Sequence, residues 1–355
     1  MEPPAAPCEF VEVSCRRPQW WQRIVSTAVA SLSLTVAVWT SGAAVASGHR
    51  VLPVTGYAGD WTSPSVLAAQ ARALTVIGVD GVDLNARGNA VARPSLAARQ
   101  LLAAAHAAGL PAVLLVGDYD DTSATPSVTA GRLLHSARNR ARVVAELVRI
   151  VRHQGWNGIT VDLEDLSPSD AAGLVGFVAR LHRELPRGDQ LAVDVAATPN
   201  LSLYPEIGYH LRGLGKVADV VLMAYDESGP WSAPGPIGGL PWQRLSIASV
   251  RRLVPADRLV LGVAAYGYTW PAGASVHDGI AVTDWQARRL ARASGRSPRW
   301  IPSQGEWTVR LRDGTVLWWA DARSYKLRQR LAARDHLAGL AIWQLATADQ
   351  LPARS

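Results

Sequence analysis

The chain has 355 residues, 48% hydrophobic and 18% charged, with 30 Gly and 22 Pro, a size that suits one large α/β domain or two modest ones. Apolar and polar residues mix along its whole length, which excludes a collagen, a disordered tail protein and a multi-span membrane protein. The formal charge of +7 rests on arginine, since Lys216 and Lys326 are the only lysines. The arginines are interleaved with carboxylates, as in 285–300 and 321–336, so they read as a solvated surface suited to anionic surroundings and not as a nucleic-acid site.

Cys8 and Cys15 precede the first apolar stretch, so the body of the chain holds neither a disulfide framework nor a thiolate metal site. Arg16, Arg17 and Arg23 flank an apolar run from Ile24 to Val38, and Ala44-Val45-Ala46 fits an A-x-A cleavage pattern. Residues 1–46 therefore read as an export leader. The expected location is secreted, periplasmic or at the cell envelope. If the leader is retained, it forms an inner-membrane anchor, because Ile24 to Ala46 is long enough to cross a bilayer.

From residue 50 to 350 short β-rich runs alternate with Ala/Leu/Arg-rich helical stretches. The strands expected in chain order are Val51–Tyr57, Leu74–Val79, Ala112–Val116, Gly158–Leu163, Leu191–Val195, Asp219–Ala224, Leu259–Ala264 and Leu340–Leu345. Most are unbroken Val/Ile/Leu runs, as in strands covered on both faces. Ser95–Ala108, Arg132–Gln154 and Ser169–Leu185 are amphipathic; Ser169 and Asp170 suit the start of the last, and Gly109 and Gly155 sit where helices stop. Eight βα units predict an α/β fold of the (β/α)8 TIM-barrel type. A doubly wound sheet competes, but no G-x-G-x-x-G follows the first strand and no phosphate-binding G-x-x-x-x-G-K-[ST] occurs. The seventh and eighth strands are too far apart for one helix, so a small β-hairpin region is expected as an insertion at about 270–336. Within it Trp307–Leu311 and Thr315–Trp319 flank Arg312-Asp313-Gly314, a hairpin signal.

In such a barrel the chemistry lies at the carboxyl ends of the strands. The period of two puts Thr160, Asp162 and Glu164 on one face of the fourth strand, with Ile159, Val161 and Leu163 on the other. Two carboxylates ending an apolar strand are costly unless paired or used, and their proximity raises the pKa of at least one, as suits a general acid. Asp165 alone fits a helix cap. Asp118, Asp120 and Asp121 follow the third strand and form a secondary cleft candidate. The histidines show no H-E-x-x-H or closely paired spacing, so a catalytic metal is not expected, and no G-x-S-x-G nucleophile elbow is present.

The segment Asn157-Gly158-Ile159-Thr160-Val161-Asp162-Leu163-Glu164 resembles the D-x-x-D-x-D-x-E pattern of the family 18 glycoside hydrolases, the chitinase-like family. Three further segments resemble the family in order: Leu222-Met223-Ala224-Tyr225-Asp226, Gly262 to Tyr268, and Gly339-Leu340-Ala341-Ile342-Trp343. The flavour is that of the bacterial spore-cortex and peptidoglycan-lytic N-acetylglucosaminidases. The resemblance implies a retaining glycosidase, without metal or organic cofactor, in which the sugar's own 2-acetamido oxygen attacks the anomeric carbon. It implies Glu164 as general acid, Asp162 as the residue orienting the acetamide and Tyr225 as its hydrogen-bond partner. Asp226 would bind a sugar hydroxyl and Trp343 would form the floor, with Met223, Tyr266, Tyr57, Trp231 and Thr160 lining the substrate. Trp61 and Trp270 join Trp231 as loop rings placed to stack on sugars.

The family's first two aspartates correspond to Asn157 and Thr160. The second shares a proton with the acetamide-orienting aspartate, and Thr160 cannot carry that charge. The expected function is an exported hydrolase of β-1,4 linkages next to N-acetylglucosamine, acting as a monomer on peptidoglycan or chitooligosaccharide. The alternatives are a weak or inactive glycan-binding barrel, or an envelope-anchored domain that trims an exopolysaccharide.

Overall fold

The computed structural model describes residues 52–118, 128–273 and 279–354. The leader, Asp120 and Asp121 lie outside the described residues. The first strands in chain order are β1 (Val54–Gly59), β2 (Val76–Asp83), β3 (Ala112–Gly117), β4 (Gly158–Asp162), β5 (Gln190–Ala196), β6 (Asp219–Met223) and β7 (Leu259–Ala264). An insertion supplies β8 (Gly267–Trp270), β9 (Ile280–Val282), β10 (Arg299–Ile301), β11 (Glu306–Arg310) and β12 (Val316–Trp319), after which β13 (Gly339–Trp343) follows. Strands β1 to β7 and β13 form a closed parallel barrel, β13 pairing with both β1 and β7. This is the expected (β/α)8 architecture, with strand ends shifted by a few residues.

The helices are α1 (Pro64–Gln70), α2 (Leu96–Ala107), α3 (Val128–Leu134), α4 (Ala137–Gln154) and α5 (Ala171–Glu184). Short α6 (Leu203–Glu206) and α7 (Leu211–Leu214) precede α8 (Leu240–Val250), α9 (Asp284–Ala293) and α10 (Ala322–Arg334). The run 132–154 is two helices because Ser136 starts a new one: its side chain accepts from the Asn139 amide, and α4 ends at Gly155 with φ 83°. A capping box, in which the Ser167 hydroxyl and amide both reach Asp170 Oδ2, opens a 3-10 turn over Pro168–Asp170 that runs into α5; Asp170 takes the expected N-cap position of α5, and Ser169 lies within the turn. No helix of the described residues is long and apolar enough to cross a membrane.

The main core lies between strands and helices, where Val143, Val144, Leu147 and Val151 of α4 and Leu174, Phe177 and Leu181 of α5 are buried. Inside the barrel a smaller apolar group of Tyr57, Leu115, Val221 and Ala341 closes the axis below the strand ends. A bulge between Asp80 and Val82 changes the phase of β2. Asp80 and Asp83 pair with Leu115 and Gly117 of β3 while Val82 packs in the outer core, so both aspartates face the axis.

The insertion is larger than the expected hairpin. It is a five-stranded antiparallel sheet in the order β10-β11-β12-β8-β9 with α9 beside it, and it has its own core around Ala287, Ala291, Leu317 and Trp319. The 306–310 and 316–319 strands form only two of its members. α10 packs on β7 and β13 and so belongs to the barrel, not the insertion. Buried Arg328 of α10 clamps the two parts: it donates to Glu306 Oε1 at 3.1 Å and to the Gly238 and Gly305 carbonyls. Glu306 in turn accepts from the Ile237 and Gly238 amides, which fixes the loop after β6. Paired and hydrogen-bonded throughout, these buried charges avoid the cost of lone burial.

Candidate active site

The carboxyl ends of the strands gather most of the expected residues. Asp162 is the last residue of β4 and lies on the axis side; Glu164 follows two positions on, near enough to Asp194 to raise its carboxyl. The Glu164 amide donates to Asp118 Oδ1 at 3.3 Å, tying the turn after β4 to the end of β3. Asp165 has φ 51°, in the left-handed region that Asp enters more readily than most non-glycine residues.

Below Asp162, Thr160 is 1% exposed, and its Oγ1 lies 3.1 Å from the Tyr57 hydroxyl. Gly78 of β2 makes room for that tyrosine, since a Cβ there would sit 2.2 Å from the ring. Trp343, half-buried at the end of β13, packs against Tyr57 with centroids 6.1 Å apart. Asn157 is not part of the site. It stands before β4, at the opposite end of the strand, where its Oδ1 accepts from the Ala112 amide at 2.8 Å and lies 3.1 Å from His106 Nε2.

Met223 ends β6 and is buried; Tyr225 and Asp226 follow. Asp226 has φ 61°, and its Oδ1 accepts from the Tyr266 hydroxyl at 2.5 Å and the Tyr268 hydroxyl at 3.1 Å. Burial pushes the Asp226 carboxyl up to about 6, against the downward pull of those two hydrogen bonds. Tyr225 meets Tyr266 edge-on at 6.4 Å. Gly262 of β7 allows it to approach, because a Cβ there would lie 2.6 Å from the Leu222 carbonyl and 3.2 Å from the Tyr225 ring.

Two expected sugar platforms are instead packing. Trp231 is 9% exposed and meets Tyr268 edge-on at 5.9 Å, while Trp270 is 3% exposed and donates from Nε1 to the Gly229 and Ser232 carbonyls. With Ile237, Tyr266 and Tyr268 they form one apolar cluster beneath the loop after β6. Burying an apolar side chain of this kind contributes roughly 1.5–3 kcal/mol to the fold. Trp61, just beyond β1, is 56% exposed.

Reading the sequence strand by strand missed Asp194 of β5, Asp80 and Asp83 of β2, and Tyr209. Asp194 is 5% exposed. A lone carboxylate inside the apolar run Leu191–Val195 was the available signal. Asp162 is held well above the usual carboxylate range by burial first, then by Asp194, Asp118, Asp80 and Asp83. Asp194 is raised by burial and then by Glu164. Tyr225 is raised by burial, then by Asp194, Asp162, Glu164 and Asp226, and so remains a neutral hydroxyl donor. Among the described residues no group of metal-ligating side chains is arranged to hold an ion. The end of the barrel thus offers acidic protons, neutral tyrosine donors and a half-buried indole to an oxygen-rich ligand.

The family model described as glycosyl hydrolases family 18 matches residues 99–349. The chain is 23% identical over 340 residues to an uncharacterized glycosylase YvbX of Bacillus subtilis, covering 92% of this chain and 95% of that protein. It is 29% identical over 227 residues to the cortical fragment-lytic enzyme of the same species, which spans 60% of this chain and 52% of that enzyme. Among solved structures, a chitinase from Chromobacterium violaceum superposes with a TM-score of 0.75 at 25% identity, covering 84% of this chain and 95% of that one.

Proposed function

The chain belongs to glycosyl hydrolase family 18 and is a glycosidase; on that premise we propose that it is exported and cleaves β-1,4 linkages next to N-acetylglucosamine with retention at the anomeric carbon. Peptidoglycan is the favoured polymer and chitooligosaccharide the second. The observation that carries the reading is the gathering of Asp162, Glu164, Tyr225, Asp226 and Trp343 from three separate strands at one barrel end. Similarity to a cortical fragment-lytic enzyme favours a wall polymer, as does the net charge of +7 facing an anionic envelope.

In this mechanism Glu164 gives its proton to the leaving glycosidic oxygen while the acetamido oxygen of the same sugar bonds to the anomeric carbon. Asp162 accepts the acetamide N–H and stabilises the positive charge of the cyclised intermediate. The neutral Tyr225 hydroxyl donates to the attacking oxygen and fixes its direction, a contribution of orientation and not of proton transfer. Glu164, now a carboxylate, then takes a proton from water as that water opens the ring. Trp343 supplies the apolar floor beneath the reacting sugar, and Asp226 holds a hydroxyl.

The test is product analysis by mass, with the protein and its Glu164→Gln variant each incubated with N-acetylchitooligosaccharides and with purified peptidoglycan. The parent is expected to release N-acetylglucosamine-terminated fragments, and the variant to lose about 10²- to 10⁴-fold in kcat, the usual contribution of a general acid. A parent that releases nothing from either polymer refutes the proposed activity. Undiminished cleavage by the variant removes Glu164 from its role.

A further inference from the structure

Thr160 stands where the family resemblance expects the carboxylate that shares a proton with Asp162. It is committed to the Tyr57 hydroxyl and carries no charge. The adjacent strand supplies a carboxylate that no motif marks. β4 and β5 pair Thr160 with Ala192 and Val161 with Val193. The same register one residue on sets Asp162 beside Asp194, about 4.8 Å away across the strands and pointing to the same face. Asp194 is 5% exposed. Among the described residues, the Oδ1 atoms of both Asp162 and Asp194 are shut from solvent and have no hydrogen-bond partner.

Two adjacent carboxylates closed off from water cannot both ionise, and a lone buried acceptor oxygen is costly; one proton held between them relieves both penalties. The groups that act on the pair are Asp80 and Asp83 from β2, Asp118 after β3 and Glu164 after β4. Tyr57 from β1, Tyr209 and Tyr225 also face it. The carboxylates among these favour the protonated pair, and the tyrosines are neutral. We propose that Asp194 is a positioning residue that shares one proton with Asp162, supplying from the fifth strand the carboxylate that the fourth strand lacks at Thr160. Asp194 makes no bond to substrate; only the shared proton moves between its oxygen and that of Asp162 as the latter turns to the acetamide. The proposal rests on the roles given above to Asp162 and Glu164.

The experiment compares the parent, Asp194→Asn, Asp194→Ala, and Asp194→Ala combined with Thr160→Asp, on N-acetylchitooligosaccharides over a pH series, with Glu164→Gln as control. Asp194→Asn is expected to lower kcat ten- to a hundredfold with little change in KM. It is also expected to move the alkaline limb of the kcat profile at least one pH unit toward acid, because the proton on Asp162 is no longer shared. Thr160→Asp in the Asp194→Ala background is expected to recover at least tenfold of the lost kcat, whereas Thr160→Asn recovers none. An infrared readout independent of turnover accompanies these: a protonated-carboxyl C=O band in the parent at pH 8 that Asp194→Asn lacks. Asp194→Asn is isosteric and carries the test if the alanine variant does not fold. Parent-like kcat and pH profile in Asp194→Asn, or an unchanged infrared band, overturns the proposal. If Glu164→Gln is dead while the Asp194 variants remain parent-like, only Asp194 loses its role. If Glu164→Gln retains full activity, the catalytic reading fails first.

Discussion

Replacing Asp226 by asparagine is expected to stabilise the protein at neutral pH while weakening catalysis. The carboxyl sits at about 6 in the native protein against an ordinary value of 3.8, because burial disfavours the charge more than the Tyr266 and Tyr268 hydroxyls restore it. Between those two values the folded chain binds more protons than the unfolded one. The contribution of Asp226 to stability is therefore fullest below about pH 4, is lost as pH rises through about 6, and is flat beyond. The displacement of about two pH units corresponds to about 3 kcal/mol of native-state destabilisation at pH 8. Asp226→Asn removes the charge yet keeps Oδ1, the oxygen to which both tyrosines donate. Urea unfolding of parent and variant from pH 4.5 to 8 is the assay. The variant's advantage is expected to be small at the acid end, to grow by up to about 1.4 kcal/mol per pH unit, and to level off near 3 kcal/mol above pH 7. On the role proposed for Asp226, kcat/KM is expected to fall above about pH 6, where the variant deprives a sugar hydroxyl of a charged acceptor. A difference that does not vary with pH, or an advantage that shrinks as pH rises, refutes the reasoning.

Trp343→Ala is expected to lower kcat/KM about 30-fold, the scale of about 2 kcal/mol for losing an aromatic anchor, as measured by steady-state kinetics on N-acetylchitooligosaccharides. Trp231→Ala, by contrast, opens a cavity in the aromatic cluster beneath the loop after β6, and is expected to cost about 3–5 kcal/mol in thermal or denaturant unfolding. Asn157→Ala leaves the Ala112 amide without its acceptor at the far end of β4. It is expected to cost about 1–3 kcal/mol of stability with kcat unchanged, and a large loss of kcat in the folded variant would return Asn157 to the site.

The local pattern carries far when a residue's role depends on its own strand. The apolar runs, the helix caps and the period of two on β4 are short-range properties, and they suffice for the barrel and for the shared face of Thr160, Asp162 and Glu164. The same local logic places Asp170 at the start of α5 but does not see the 3-10 turn that Ser167 opens before it, because that turn depends on where Asp170 Oδ2 reaches. It also places Trp231 and Trp270 in loops without seeing that Tyr266 and Tyr268 arrive from after β7 to enclose them.

What the sequence by itself determined is the alternation of strands and helices and the placing of the candidate residues at the ends of β4, β6 and β13. What only the tertiary structure decided is which groups from different strands meet. Register between β4 and β5 puts Asp194 beside Asp162; the bulge in β2 turns both Asp80 and Asp83 inward; and the β4 axis separates Asn157 from Glu164. The insertion became a five-stranded sheet because strands as far apart as Gly267 and Trp319 pair across it. The physical reason is one of range. Side-chain alternation and capping are set within a few residues, whereas register, barrel closure and the sharing of a buried proton are set between segments that approach only after the chain has folded.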